Sequence, residues 1–253
     1  VFTFFPPTDV YFVPTRAYLL IRYPLAKKWT LDIGCDSAER GTLIQYPERR
    51  TNLMPHDEEG KLTRLNPQFA ITTLEPEKRV GLVVVLTGYG KGKTSSALGM
   101  VVRACGHGMK VCMLQFMKGD IFTGEWEAIK KMDCDVELVV TGMGFCGIQG
   151  NPYSHAQHRE AAQRALLMAK ERITSGKYDL IVLDEINNAV HLKLVDLEQA
   201  IDLLRSKPPL LHLVLTGRDA APEVISLADT VSEVREIVHS YRKGIEPQPG
   251  VDF

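Results

Sequence analysis

The chain has 253 residues, 45% of them apolar and 24% charged, with a formal net charge of −1. This is the composition of a globular protein with room for one large domain, or one domain and an appendage. The near-neutral balance gives no support to a nucleic-acid partner, and no apolar run of about eighteen residues offers a membrane-spanning helix.

Residues 1–80 carry recurrent prolines, from Pro6 and Pro7 to Pro67 and Pro76, and sustain neither a helical nor a strand period. The stretches 48–52 (Glu-Arg-Arg-Thr-Asn) and 56–60 (His-Asp-Glu-Glu-Gly) read as solvated chain. Aromatic residues of the first thirty, among them Phe4, Phe5, Tyr11, Phe12 and Trp29, could pack as a small appendage. The expectation is instead an irregular leader, disordered or non-native, and a chain begun at Met54 is expected to fold without it. The segment lacks the charged start, apolar middle and small-residue cleavage site of a signal peptide.

From Gly81 the pattern becomes regular. Residues 82–86 (Leu-Val-Val-Val-Leu) read as a buried strand, and 93–105 as a helix ended by Gly106-His107-Gly108. Further strands are expected at 110–116, 136–140, 179–183, 211–215 and 230–238. Helices are expected at 126–132, 154–175, 196–205 and 222–228, the second with Ser154 as its N-cap and Gly176 beyond its end. Residues 141–150 hold four glycines and read as a loop. Strands alternating with helices predict an α/β fold, a mostly parallel sheet covered by helices on both faces. Ligands in such sheets bind beyond the carboxyl ends of the strands. Four polar segments fall at such ends: the loop after Leu86, 115–118, Asp184-Glu185 and Thr216-Gly217-Arg218.

The first of these is Thr87-Gly88-Tyr89-Gly90-Lys91-Gly92-Lys93-Thr94. A strand, a glycine-rich turn and a helix start are the setting of a phosphate-binding P-loop. Glycines let backbone N–H groups turn onto an anion, Lys93 adds a positive charge, and the Thr94 hydroxyl can ligate Mg²⁺. The pattern's first glycine is replaced by Thr87, which predicts a loop of unusual path. The bland alternative is a turn that binds nothing. Asp184 and Glu185 follow an apolar strand, as metal-side carboxylates do in P-loop proteins, and Glu185 is the expected direct ligand. Their bland alternative is a carboxylate pair at a helix start. Arg103 and Arg218 can meet phosphate oxygens in a bidentate way, although an exposed helix arginine fits Arg103 equally well. His155 and His158, three apart on a helix, lack a third ligand and read as surface residues. The five cysteines show no C-x-x-C spacing and read as reduced thiols, with no role assigned to Cys146.

Together these stretches resemble the P-loop ATP:corrinoid adenosyltransferases. The likeness is carried by the loop 87–94, Arg103-Ala104-Cys105-Gly106-His107-Gly108, Gln115-Phe116-Met117-Lys118-Gly119, Leu183-Asp184-Glu185-Ile186, Leu215-Thr216-Gly217-Arg218 and 228–233 (Ala-Asp-Thr-Val-Ser-Glu). The ending from Lys243-Gly244-Ile245 to Gly250-Val251-Asp252-Phe253 belongs to it as well. It covers 81–253 and not the leader. The resemblance implies a RecA-like P-loop NTPase fold. It also implies a reaction in which cobalt(I) of a reduced corrinoid attacks the 5′ carbon of ATP and triphosphate leaves. Gly88, Gly90, Lys91, Gly92, Lys93, Thr94, Arg103 and Glu185 match family ATP positions, and Phe145 matches an aromatic residue packed against the corrinoid. The family holds the nucleotide with its phosphates reversed, in keeping with the missing first glycine. The sequence departs at Tyr89, where a small polar residue is common, and at Gly147, where many members carry tryptophan. Mg²⁺, an unidentified reductase, a cytoplasmic location and a homodimer are implied on the same basis. The alternative readings are a nucleotide-dependent corrinoid-binding or delivery protein and a conventional P-loop ATPase or kinase.

Overall fold

The computed structural model describes residues 76–119, 122–144, 146 and 151–253, together with the backbone of 19–20 and 32–33. Strands β1 (Leu19–Leu20) and β2 (Asp32–Ile33) pair antiparallel. The expected irregular leader otherwise lies outside the described residues, apart from 76–80.

Residues 76–253 are built on a six-stranded sheet. Its strands are β3 (Val83–Thr87), β4 (Val111–Gln115), β5 (Val136–Val140), β6 (Leu180–Asp184), β7 (His212–Thr216) and β8 (Thr230–Glu233). They lie in the order β5-β4-β6-β7-β3-β8, and every pair is parallel. The central strands β4 and β6 are buried along their whole length, whereas β8, at one edge, is exposed throughout. Such a sheet needs cover on both faces, and the strand sequences supply an apolar residue to each side in turn. Val83, Val85, Cys112, Leu114, Ile181, Leu183, Leu213 and Leu215 enter one core. Leu86, Val111, Met113, Leu180, Val182 and Val214 enter the other.

Helix α1 (Lys93–Gly106) covers the second face through Ala97, Val101 and Ala104. The first face is covered by α3 (His155–Thr174), α4 (Ile186–His191), α5 (Leu197–Arg205) and α6 (Pro222–Ser226). The short α2 (Gly124–Lys131) precedes edge strand β5. Among the described residues no helix is long and apolar enough to cross a membrane.

Helix α3 shows why its ends fall where they do. Ser154 caps it, and Gln157 returns a bond to the Ser154 backbone. Gly176 then leaves at φ 67°, the left-handed conformation that ends a helix cheaply when the residue is glycine.

Two sequence expectations are corrected, and one helix is added to the expected elements. The strand expected at 230–238 stops at Glu233, because Val234 turns its N–H to the Thr87 carbonyl and its own carbonyl to the Gly90 N–H. Helix α4 was not foreseen: it is one and a half turns long and follows the β6 carboxylates directly, leaving no room for a periodic signal. His158 is buried rather than at the surface. Its imidazole sits 3.3 Å from the Asn151 side-chain oxygen, so a ring that fits the helix period is accommodated inside by a polar partner.

Candidate active site

The parallel sheet brings the polar segments that follow β3, β4, β6 and β7 to one edge. There they line an open cleft of about 710 Å³.

Strand β3 delivers the loop. Thr87 is its last residue and pairs with Glu233 of β8, while its hydroxyl accepts the Ala220 N–H at 3.2 Å. A residue still in the ladder has no need of glycine's freedom, which explains the missing first glycine. Gly88 does need that freedom: its φ is +95°, and a Cβ there would meet the Val234 carbonyl oxygen at 2.6 Å. Gly90 would place a Cβ 2.6 Å from the Arg235 carbonyl oxygen. These glycines therefore admit the chain beyond β8 as well as turning the loop. At Gly92 the backbone enters α1 with no side-chain cap and no acidic residue in the first turn. The free N–H groups and positive dipole end of a 14-residue helix thus stand open to the cleft.

Lys93, in the first turn, folds back over the loop. Its Nζ donates to the carbonyls of Gly88 at 2.6 Å and Gly90 at 2.8 Å. Burial, and then the nearby Arg218 charge, lower its pKa from the ordinary lysine value. The Thr94 hydroxyl donates to Asp184 Oδ1 at 2.9 Å, and Thr216 donates to the same oxygen at 2.7 Å. Asp184 is fully buried. The Thr216 hydroxyl accepts the Glu185 N–H at 2.9 Å, which holds Glu185 in a left-handed conformation, φ 64°, at the start of α4. The Glu185 Oε2 atom is buried with no hydrogen-bond partner. Burial, and then the neighbouring Asp184 charge, push its carboxyl up to about 7.

On the β4 side Lys118 lies 2.9 Å from Glu125 and 3.8 Å from Asp184. Burial alone would lower the Lys118 pKa, but the Asp184 and Glu125 charges outweigh it and the net shift is upward. Gln115 ties this corner together: its amide donates to Glu125 at 3.1 Å, and its oxygen accepts from Trp126 Nε1 at 2.8 Å. At the opposite rim, the Tyr89 hydroxyl donates to Asp219 at 2.7 Å, and the Arg218 guanidinium lies 5.5 Å from the Tyr89 ring centre. Lys91 forms an ion pair with Asp252 at 2.6 Å, which brings residues 250–253 to the cleft wall.

Thus Tyr89, Gly90, Lys91, Gly92, Lys93, Thr94, Glu185 and Arg218 line one cleft, with Gly88 and Asp184 directly behind them. Arg103 does not join them. It stands exposed in the last turn of α1, ten residues along the helix from Lys93, or about 15 Å at the α-helical rise. Phe145 and Gly147 lie outside the described residues. No sequence signal pointed to Glu125, Trp126 or Asn188, which sit on helices and not at strand ends. Lys118 and Asp252 fell within noted stretches without a role, and the side-chain pairing that exposes their part has no sequence signature.

A family model described as ATP:corrinoid adenosyltransferase BtuR/CobO/CobP matches residues 79–253. The chain is similar to a corrinoid adenosyltransferase of Sinorhizobium sp., with 39% identity over 175 residues, 68% of this chain and 80% of that one. A corrinoid adenosyltransferase of Pseudomonas aeruginosa is 38% identical over 68% of this chain and 84% of its own. The corrinoid adenosyltransferase CobA of Salmonella typhimurium is 32% identical over 71% and 89%.

Proposed function

The chain belongs to the ATP:corrinoid adenosyltransferase family, and from that premise we propose how its residues divide the work of joining the 5′-deoxyadenosyl group of ATP to a corrinoid. The step belongs to adenosylcobalamin formation or salvage. The cobalt(I) electron pair forms the bond to C5′, the C5′–O bond breaks, and triphosphate leaves with the bonding pair. No protein nucleophile is needed. The protein has to align the reactants, stabilise the charge collecting on triphosphate and exclude water.

The observation that carries the reading is the uncapped amino end of α1 and the Lys93 ammonium facing one cleft. Gly88 to Thr94 cradle the triphosphate, and Lys93 exchanges the Gly88 and Gly90 carbonyls for phosphate oxygens. Arg218 and Lys91 add positive charge at the rim. Lys118 offsets the Asp184 and Glu125 carboxylates, which would otherwise repel the nucleotide. Phe145, on the family resemblance, contacts the corrinoid.

The donors in the cleft suit Mg²⁺. Glu185 Oε2 is a buried oxygen without a partner, the Thr94 hydroxyl lies in the same wall, and both are hard oxygen donors. Thr94 and Glu185 would hold the ion, with Asp184 orienting Thr94 from behind. Among the described residues no three His, Cys, Asp or Glu side chains form a metal cluster, in keeping with an ion that takes its other ligands from phosphate and water. When bound, Mg²⁺ neutralises charge on the triphosphate. The family resemblance also supports a homodimer acting in the cytoplasm with a separate reductase.

The products distinguish this reading from its rivals. Under anaerobic conditions, with ATP, Mg²⁺ and chemically reduced corrinoid, phosphorus NMR should show intact triphosphate. The corrinoid spectrum should shift to a light-sensitive cobalt–carbon form. ADP released without corrinoid would refute the reading in favour of an ATPase. Tight corrinoid binding with ATP left whole would favour a delivery protein.

A further inference from the structure

We infer that Tyr89 is a positioning residue that holds Arg218 ready for the triphosphate, joining the loop after β3 to the loop after β7. The inference rests on the nucleotide-site reading above and adds to it a role for a residue that departs from the usual family pattern.

Arg218 is fixed from two sides. Its backbone N–H donates to Asn188 Oδ1 at 2.6 Å, and Gly217 before it, at φ +130°, leaves no room for a side chain: a Cβ would meet that same Asn188 oxygen at 2.5 Å. The residue after it, Asp219, is held at φ 52°, a conformation unusual outside glycine. Asp219 accepts the Tyr89 hydroxyl, so the tyrosine is anchored one residue beyond the arginine that covers its ring.

The guanidinium itself is uncommitted. Among the described residues it makes no hydrogen bond and no ion pair; the face of Tyr89 lies 5.5 Å from it, and its charge is also felt at Glu236. An aromatic face attracts a cation without using any of its N–H donors, so all five remain for an incoming anion. Both residues line the cleft with Lys93 and Glu185. The Arg218 charge is felt at each: it lowers the pKa of Lys93 and opposes the rise at Glu185. A small polar residue at position 89 would supply no such platform and would leave a long, exposed arginine to lose rotamer freedom on binding.

A double-mutant cycle on the full chain tests this, with ATP and cobalt(I) corrinoid as probes. Tyr89→Leu should raise the ATP KM about fivefold, the scale of one exposed cation–π contact together with a hydrogen bond. Its kcat and corrinoid KM should change less than twofold. Tyr89→Phe, which keeps the ring, should recover part of the loss. In an Arg218→Ala background, Tyr89→Leu should cost nothing further. An equal cost in both backgrounds, or a wild-type ATP KM in Tyr89→Leu, would overturn the inference while leaving the nucleotide site intact. Lys93→Ala is the control: unchanged ATP affinity and turnover there would overturn the site reading, and this inference with it.

Discussion

Lys93 spends two donors on its own loop in the ligand-free protein, and this decides how its removal should divide between binding and rate. Its Nζ bonds the Gly88 and Gly90 carbonyls at 2.6 and 2.8 Å. ATP binding therefore exchanges ammonium–carbonyl bonds for ammonium–phosphate bonds, a net gain of about 1 kcal/mol, or about fivefold in affinity. The larger gain comes as charge collects on the departing triphosphate. There the ammonium acts as a preorganised donor, and loss of one such donor costs about 2.7–4 kcal/mol, or about 10²–10³ in kcat. Lys93→Ala should thus retain ATP binding within about tenfold of wild type by calorimetric titration. Formation of the cobalt–carbon bond, followed anaerobically in the corrinoid spectrum at saturating ATP, should slow by about 10²–10³. A kcat within fivefold of wild type would refute the reasoning. So would an affinity loss beyond a thousandfold with the rate preserved.

Two further outcomes are expected. Burial and then Asp184 raise the Glu185 carboxyl to about 7, so the folded, metal-free protein keeps a proton that the unfolded chain releases near 4.5. Between those values the folded state binds more protons, and stability should fall as pH rises, by at most about 3 kcal/mol. Urea melts in EDTA across pH 4.5–7 should show the decline in wild type and a flatter course in Glu185→Gln; parallel courses would sink the assignment. Phe145→Ala should impair handling of cobalt(II) corrinoid more than ATP binding, with most activity restored by pre-reduced cobalt(I). Lost ATP affinity with unchanged corrinoid spectra would show that the residue had been misassigned.

The sheet was legible because a parallel strand buried on both faces is written as an unbroken apolar run, as in 82–86 and 180–183. The loop was legible because its chemistry requires glycines, a lysine and a threonine at fixed spacing. The rest of the site was harder to read for a physical reason. The links from Lys118 to Glu125, Tyr89 to Asp219 and Lys91 to Asp252 join residues 7, 130 and 161 positions apart, and side chains that meet only through the fold carry no local period. Arg103 shows the converse: it belongs to a recognisable stretch, yet it is not among the side chains that line the cleft, although its neighbour Val102 is. Gly88 and Gly90 were readable as glycines, but the sequence did not show that the segment after β8 would pack against them.

With every strand of the six-stranded sheet parallel, the cleft occupies one edge of that sheet and the returns from helix to strand occupy the other. These returns are not equally open to engineering. The one before β7 is stitched by Lys207, whose Nζ reaches the carbonyls of Gly81, Pro208 and Leu211. The turn Ser175-Gly176-Lys177 before β6 is exposed, and open space surrounds Gly176. That turn is the place to attach a fluorophore, a surface tether or a split-protein junction, on the far side of the sheet from the chemistry.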